Sequence, residues 1–309
     1  MQFKCKECGE EFDKDRSLHA HLKKHKISIA DYYHKHFPRY DLYTGKLIKF
    51  KDVKRYLTTD FNSPSNLIKW CESEDKEKVK EYLLKRIGEK LDEKEFSRVF
   101  GHIQLKSYNF PGVDFVKNLF GSYSEFSNLL ERKPQFYKNI TKDFYEDYSD
   151  LEILIDTREQ NPLSFKNQRF QKLDCGDYGL TGNNYSYTFI DRKSTADFIS
   201  TMSTGLDRFK NEVKRCSIMG CYLFVLVEST MEGVEKKMLF SRNIKTNINH
   251  VWHNMREIMY EFPEHCQFVF SGSRANSEIL VPKLLKCGRQ LWDTDIQYFI
   301  ERDDLWLGK

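Results

Sequence analysis

The chain has 309 residues and 39% apolar content, enough for two or three domains and at least one sizeable core. No run of eighteen or more apolar residues occurs, which excludes a membrane-spanning helix, and the N-terminal MQFKCKECGEEF lacks the apolar stretch of a secretory leader. A net charge of +4 and a pI near 8.4 are compatible with a nucleic-acid partner without demanding one.

The eight cysteines follow no disulfide-framework spacing. With no leader, free thiols in a reducing compartment are the simpler reading, so we expect an intracellular, DNA-associated protein that is neither secreted nor held in a membrane. Cys5-x2-Cys8 and His21-x3-His25, with Phe3, Phe12 and Leu18 between and around them, resemble a Cys2His2 zinc finger over residues 1–26. Two thiolates and two imidazoles at this spacing close a tetrahedral zinc site, and the metal supplies folding free energy that so small a core cannot. The resemblance implies a ββα module with Lys14, Ser17 and Ala20 toward bases and Arg16 beside them. Base reading, phosphate positioning and a structural role all remain open for it.

Residues 27–133 read as a small, mostly helical DNA-binding or accessory domain. The stretch 40–50, with a turn at Thr44-Gly45, reads as a hairpin. Ser63-Pro64 caps and opens a helix over 65–72. Val79, Tyr82, Leu83, Ile87 and Leu91 recur at helical spacing, and a further apolar-periodic run covers 113–130 after Pro111-Gly112. Residues 134–150 read as a linker.

From residue 151 to 309 strand and helix patterns alternate, the mark of an α/β domain. Strands are expected over 151–156, 178–181, 185–192, 222–228 and 267–270, with a turn at Gly182-Asn183-Asn184. Helices are expected over 196–202, 206–219, 248–261 and 277–287.

The chemistry concentrates in Ile155-Asp156-Thr157-Arg158-Glu159, Gly176-Asp177-Tyr178, and Asp191-Arg192-Lys193-Ser194-Thr195-Ala196-Asp197. On a strand, Asp191 and Lys193 share one face while Ile190 and Arg192 share the other. A carboxylate and an ammonium side by side, met by Asp177 from the hairpin partner, suit phosphodiester hydrolysis assisted by Mg²⁺ or Mn²⁺. Gly176-Asp177, a spacer, and Asp191-Arg192-Lys193-x3-Asp197 resemble the Gly-Asp…Glu-Arg-Lys-x3-Asp signature of the XPF-type structure-specific endonucleases. IDTREQ upstream, Arg208-Phe209 and the strand CYLFVLVE agree with it in order.

That resemblance spans residues 151–290 and implies a restriction-endonuclease-like mixed-sheet core flanked by helices. It implies Asp177 and Asp191 as magnesium ligands, Asp156 and Glu159 as further site carboxylates and Lys193 as the catalytic lysine. The family glutamate is Asp191 here, and neither a helix-hairpin-helix module nor a helicase motif is recognisable. Alternative roles stand beside these: Asp156 as a strand-end acid paired with Arg158, Glu159 as a loop acid, Asp177 as a turn cap, Asp197 as part of a helix cap. Arg192 either steadies the opposite face or meets phosphate. Arg208, Lys210, Lys214 and Arg215 form a solvated helix face or a DNA contact. Cys216 and Cys221, at a helix end and a strand start, read as buried thiols, and His250 and His253 lie on a separate helix, so the four are not taken as a second metal site.

The leading function is therefore a metal-dependent DNA endonuclease acting on flaps, forks or junctions, alone or with a homodimeric or heteromeric partner. The alternatives are a site-specific duplex endonuclease of a virus or mobile element and a non-catalytic zinc-finger scaffold. A zinc-finger regulator would leave the acidic motif unexplained.

Overall fold

The computed structural model describes residues 3–240 and 246–302, and it divides into two units: residues 1–82 with 109–111, and residues 83–108 with 112–309. In the first, β1 (Phe3–Lys4) and β2 (Glu11–Phe12) pair antiparallel and lead into α1 (Asp15–His21) and a 3-10 turn over Leu22–His25. Cys5, Leu18 and Leu22 of the finger share a core with Tyr32, Tyr33, Ile48 and Tyr56. Tyr32 and Tyr33 come from α2 (Ile29–His36), capped by Ser28. Tyr56 comes from α3 (Val53–Thr58), capped by Asp52. The Tyr32 hydroxyl accepts the Lys6 N–H at 2.8 Å, and Glu7 binds Lys35 and His36 at 2.8 and 2.6 Å. The finger thus buries its apolar face on the residues that follow it.

The hairpin expected over 40–50 is a single bridge between Tyr40 and Leu47. Asp41, 1% exposed, takes the place of a ladder. Its carboxylate accepts the backbone N–H groups of Tyr43, Thr44 and Asn62 and the Asn66 side chain, so a local side-chain turn outcompetes strand pairing. The next helix, α4 (Pro64–Ser73), begins where Ser63 and Pro64 place it. After it, α5 (Lys76–Glu93) buries Val79, Leu83, Ile87 and Leu91 completely.

In the second unit β3 (Arg98–Val99) precedes α6 (His102–Ser107). The single run expected over 113–130 is two helices, α7 (Val113–Phe120) and α8 (Tyr123–Leu129). Gly121 adopts φ 89°, and Ser122 caps the restart. β4 (Lys133–Pro134) then pairs parallel with β3. Residues 134–150, expected as a linker, carry a 3-10 turn over Lys142–Tyr145 with Phe144 fully buried. The Lys283 ammonium donates to the carbonyls of Phe144 and Glu146 at 2.9 and 2.8 Å.

A six-stranded mixed sheet follows: β5 (Glu152–Ile155), β6 (Asn167–Phe170), β7 (Tyr178–Gly179), β8 (Thr188–Lys193), β9 (Tyr222–Val227) and β10 (Cys266–Phe270). Its order is β10-β9-β8-β7-β5-β6, with β8, β9 and β10 parallel and β7 antiparallel to both β8 and β5. Every residue of β9 is buried, as a parallel strand covered on both faces requires. On one face Phe189, Leu223, Val225 and Val227 pack against α9 (Thr195–Thr201), α10 (Leu206–Ile218) and α12 (Ile248–Glu261). On the other Ile155, Ile190, Tyr222, Phe224 and Leu226 meet α13 (Arg274–Cys287). The strand β6, the helix α11 (Met231–Phe240) and the last helix α14 (Ile296–Glu301) go beyond the sequence expectations. Among the described residues no helix is long and apolar enough to cross a membrane.

Because Phe144 sits wholly inside the second core, Phe144→Ala should lower stability by about 3–5 kcal/mol. Urea unfolding measures this, and a change near zero would return residues 134–150 to the status of a linker.

Candidate functional site

Two centres stand out. In the first, β1–β2 and α1 bring Cys5, Cys8, His21 and His25 together with all four ligand atoms within 4.8 Å of one another. The Cys8 thiol lies 3.2 Å from His21 Nε2, Cys5 3.6 Å from His25 Nε2, and the two Nε2 atoms are 2.9 Å apart. A tetrahedron with zinc bonds of roughly 2.0–2.3 Å has edges close to these. The quartet therefore can hold a metal such as zinc. Lys14, Arg16 and Ser17 are exposed at the start of α1. His19 reaches the Tyr33 hydroxyl at 3.2 Å.

The second centre is built on the β7–β8 pairing, where Tyr178 faces Ile190. Gly176 has φ 63°, and a Cβ there would fall 2.7 Å from the Ile190 carbonyl oxygen. Only glycine permits so close an approach. It lets the Asp177 N–H donate to Ile190 O at 2.7 Å, while Asp177 Oδ2 accepts the Arg192 N–H at 2.8 Å. Asp177 is thereby fastened to the backbone that flanks Asp191.

Asp191 and Lys193, 5% and 7% exposed, lie on the face covered by α9 and α10. Lys193 Nζ is 3.2 Å from Asp191 Oδ1 and 2.8 Å from Oδ2. The second contact is an ion pair whose alignment makes no hydrogen bond. Lys193 Nζ also stands 4.9 Å from the Phe209 ring centre and 3.9 Å from Asp197. The Asp197 N–H is bound by Ser194, which caps α9.

Burial is the main cause of the electrostatic state. It pushes Asp191 up to about 6, with Glu212 and Asp197 adding to it and Lys193 opposing. Burial and then the Asp191 charge push Asp177 well above the usual carboxylate range. Burial draws the Lys193 ammonium down, but Asp191 more than offsets this, so Lys193 stays charged.

The other proposed site residues are placed differently. Asp156, 1% exposed, gives both oxygens away: to Arg158 N, Nε and Nη2 at 2.8, 2.7 and 3.0 Å, and to Leu173 N at 2.6 Å. Burial raises its carboxyl, and these hydrogen bonds outweigh it. Glu159 pairs with Arg192 at 3.0 Å, Arg192 with Glu228 at 3.1 Å, and Glu228 with Arg274 at 3.3 Å. Arg192 leaves β8 on the side opposite Asp191, as strand alternation requires. On α10 Arg208 is exposed, and Lys210 pairs with Glu261 at 2.8 Å. Cys216 and Cys221 are buried, and the facing pairs His250–Asn254 and His253–Glu257 are satisfied locally.

Sequence reading missed Glu212, whose Oε1 accepts the Gly176 N–H at 3.3 Å and whose charge acts on Asp191. The signal was a glutamate bordering the buried stripe Phe209, Val213, Cys216 of α10. It also missed Glu228 and Arg274, which the fold alone brings to Arg192.

Oxygen donors of this kind suit Mg²⁺ or Mn²⁺, and a buried carboxylate oxygen without a hydrogen bond is a group such a cation would satisfy. The residues fit the metal in type. Among the described residues, however, only the Cys2His2 quartet gathers three or more possible ligand atoms closely.

No protein-family model matches the chain, and no curated protein matches it. Among solved structures, XPF from Aeropyrum pernix in complex with DNA is similar at 15% identity and a TM-score of 0.34, over 44% of this chain and 63% of that one. XPF from Aeropyrum pernix also matches at 16% identity and a TM-score of 0.33, over 50% and 73%. The chain spans less than two thirds of the DNA-bound neighbour.

Two outcomes test these centres. Cys8→Ser should loosen the shared core around Tyr32 and Tyr33, and cobalt in place of zinc should give tetrahedral absorption bands in the wild type alone. A variant with unchanged tyrosine fluorescence and bands would exclude the quartet as a metal site. For the acids, a carboxyl raised by folding stabilises fully below its unfolded pKa and loses that contribution as pH rises through its folded value. For Asp191 the window runs from 3.8 to about 6, and for Asp177 it extends well upward. Without added divalent cation, Asp177→Asn keeps the acceptor for Arg192 N–H and should exceed the wild type by about 1–3 kcal/mol near pH 8. Its advantage should shrink near pH 4. An advantage independent of pH in urea unfolding would contradict the raised Asp177 carboxyl.

Proposed function

We propose that the chain is a metal-dependent DNA endonuclease that hydrolyses phosphodiester bonds, with flaps, forks or junctions as its substrates. The observation that carries this is the pair of carboxylates brought together by the β7–β8 pairing, Asp191 buried on β8 and Asp177 half-buried just before β7, with the Lys193 ammonium 2.8 Å from Asp191. A structural ion pair would need one acid, and here a second, half-buried acid stands beside it, raised by burial and by the Asp191 charge.

Asp177 and Asp191 would hold Mg²⁺ or Mn²⁺, which when bound supplies Lewis-acid polarisation of the scissile phosphate and of the attacking water. Lys193 stays protonated beside Asp191. It therefore serves not as a resting base but as a fixed positive charge for the developing charge on phosphorus oxygens. The Arg192 N–H holds the Asp177 carboxylate in place. Asp156 and Glu159 act as positioning residues in this reading, since their carboxylates already bind Arg158 and Arg192. The preference for branched DNA rests on the motif resemblance of Gly176-Asp177 and Asp191-Arg192-Lys193.

The test incubates zinc-loaded protein with Mg²⁺ or Mn²⁺ and labelled linear, supercoiled, flap, fork and four-way-junction DNA. Asp191→Ala and Lys193→Ala should each lower cleavage on the order of 100-fold or more while the fold persists. Cutting of one duplex sequence alone would transfer the assignment to a site-specific endonuclease. An inactive wild type under every divalent ion would leave a non-catalytic scaffold.

A further inference from the structure

We infer that the concavity beside Gly176-Asp177, between the segment 158–174 and the end of α10, is a phosphate-binding notch that grips the DNA strand. The inference rests on the endonuclease reading for the identity of its ligand. The cavity measures about 500 Å³, and three cations line it: Arg158, Lys172 and Arg215, against one acid, Asp174. Among the described residues neither Lys172 nor Arg215 makes an ion pair. That contrasts with Lys210 on the same helix, which is neutralised by Glu261. Uncompensated like charges around one hollow repel each other unless an anion joins them.

Arg158 makes the notch more than a chance of surface charge. Its Nε and Nη2 edge is locked onto the buried Asp156 carboxylate, and Nη2 also donates to Leu173 O at 3.0 Å. Its side chain is nevertheless 63% exposed, and Nη1 has no partner among the described residues, leaving one donor edge of a fixed guanidinium toward the hollow. A guanidinium anchored on one edge and open on the other is the form in which arginine takes phosphate oxygens without losing much side-chain freedom. This gives the Asp156–Arg158 pairing a purpose, with Asp156 as the residue that aims Arg158.

The floor is apolar. Ile218 is 75% exposed and Met219 41% exposed at the end of α10, a ledge on which sugar or an unstacked base can rest while the cations hold the backbone. Leu173 and Asp174 of the notch run directly through Cys175 into Gly176-Asp177. A strand gripped there lies next to the carboxylates.

Binding of labelled flap DNA and of its single-stranded arm is measured against salt with zinc-loaded full-length protein and no added divalent ion. The double variant Lys172→Glu/Arg215→Glu should bind roughly 10- to 100-fold more weakly near 0.1 M salt. Its log–log salt slope should fall by about 1.5–2, the share of two phosphate contacts. Lys236→Glu, an exposed lysine outside the notch, should match the wild type, and circular dichroism should find all variants folded. A double variant that binds like Lys236→Glu, from a wild type that binds and cuts, would sink the notch and leave the endonuclease reading standing. Weakened binding by the double variant, from a wild type that never cuts, would uphold the notch and sink the nuclease. Unchanged DNA affinity with an altered sedimentation profile would overturn the notch in favour of a contact between protein chains.

Discussion

Two carboxylates set beside each other by the β7–β8 pairing, Asp191 out of water and Asp177 half-buried, constrain most of the second unit. Burial raises both, with the Asp191 charge adding to it at Asp177 and the Glu212 and Asp197 charges adding to it at Asp191, so the fold carries a standing penalty at neutral pH. Several features keep the two acids from moving apart. Gly176 brings its backbone against Ile190, Arg192 N–H ties down Asp177, and β8 is locked between β7 and the fully buried β9. Lys193 lies against Asp191 and only partly offsets the rise at Asp177. Perturbed carboxyls of this sort gather where function needs them.

The sheet sorts a contiguous motif into two chemistries. Asp191 and Lys193 fall on the α10 side, whereas Arg192 turns to the opposite side and enters the alternating chain Glu159–Arg192–Glu228–Arg274. That chain links the loop after β5, the middle of the sheet and the start of α13. Each charge in it has an opposite neighbour, as burial demands. Three consecutive residues thus supply both a buried acid–lysine face and the opposite face that braces it.

Much of this was legible beforehand because it depends on local rules. Cys5, Cys8, His21 and His25 declare themselves by spacing, the helix over Ile248–Glu261 begins and ends where its periodicity does, and β8 separates Asp191 from Arg192 by parity. What could not be read depends on competition or on tertiary placement. Asp41 turned an expected hairpin into a side-chain-held loop, and Gly121 with Ser122 split a continuous apolar run. Residues 134–150 look polar and linker-like, yet Phe144 is an anchor because of a core assembled far along the chain. Asp156 and Asp177 are both acids at strand ends. Only the close pairing of Asp156 with Arg158 and Leu173 distinguishes a committed carboxylate from an uncommitted one. Glu212 could be recognised only once α10 lay over β8.

All four residues of β6 are exposed, and among the described residues it ends the sheet with one side unpaired. Phe170, 53% exposed, would invite another strand to dock there. Lys166 and Arg169 guard that border with charges paired to Asp150 and Glu152. Edges left open in this way are kept solitary by charge rather than by cover. At high ionic strength that guard weakens, and the rim beside Phe170 loses part of its protection against a docking strand.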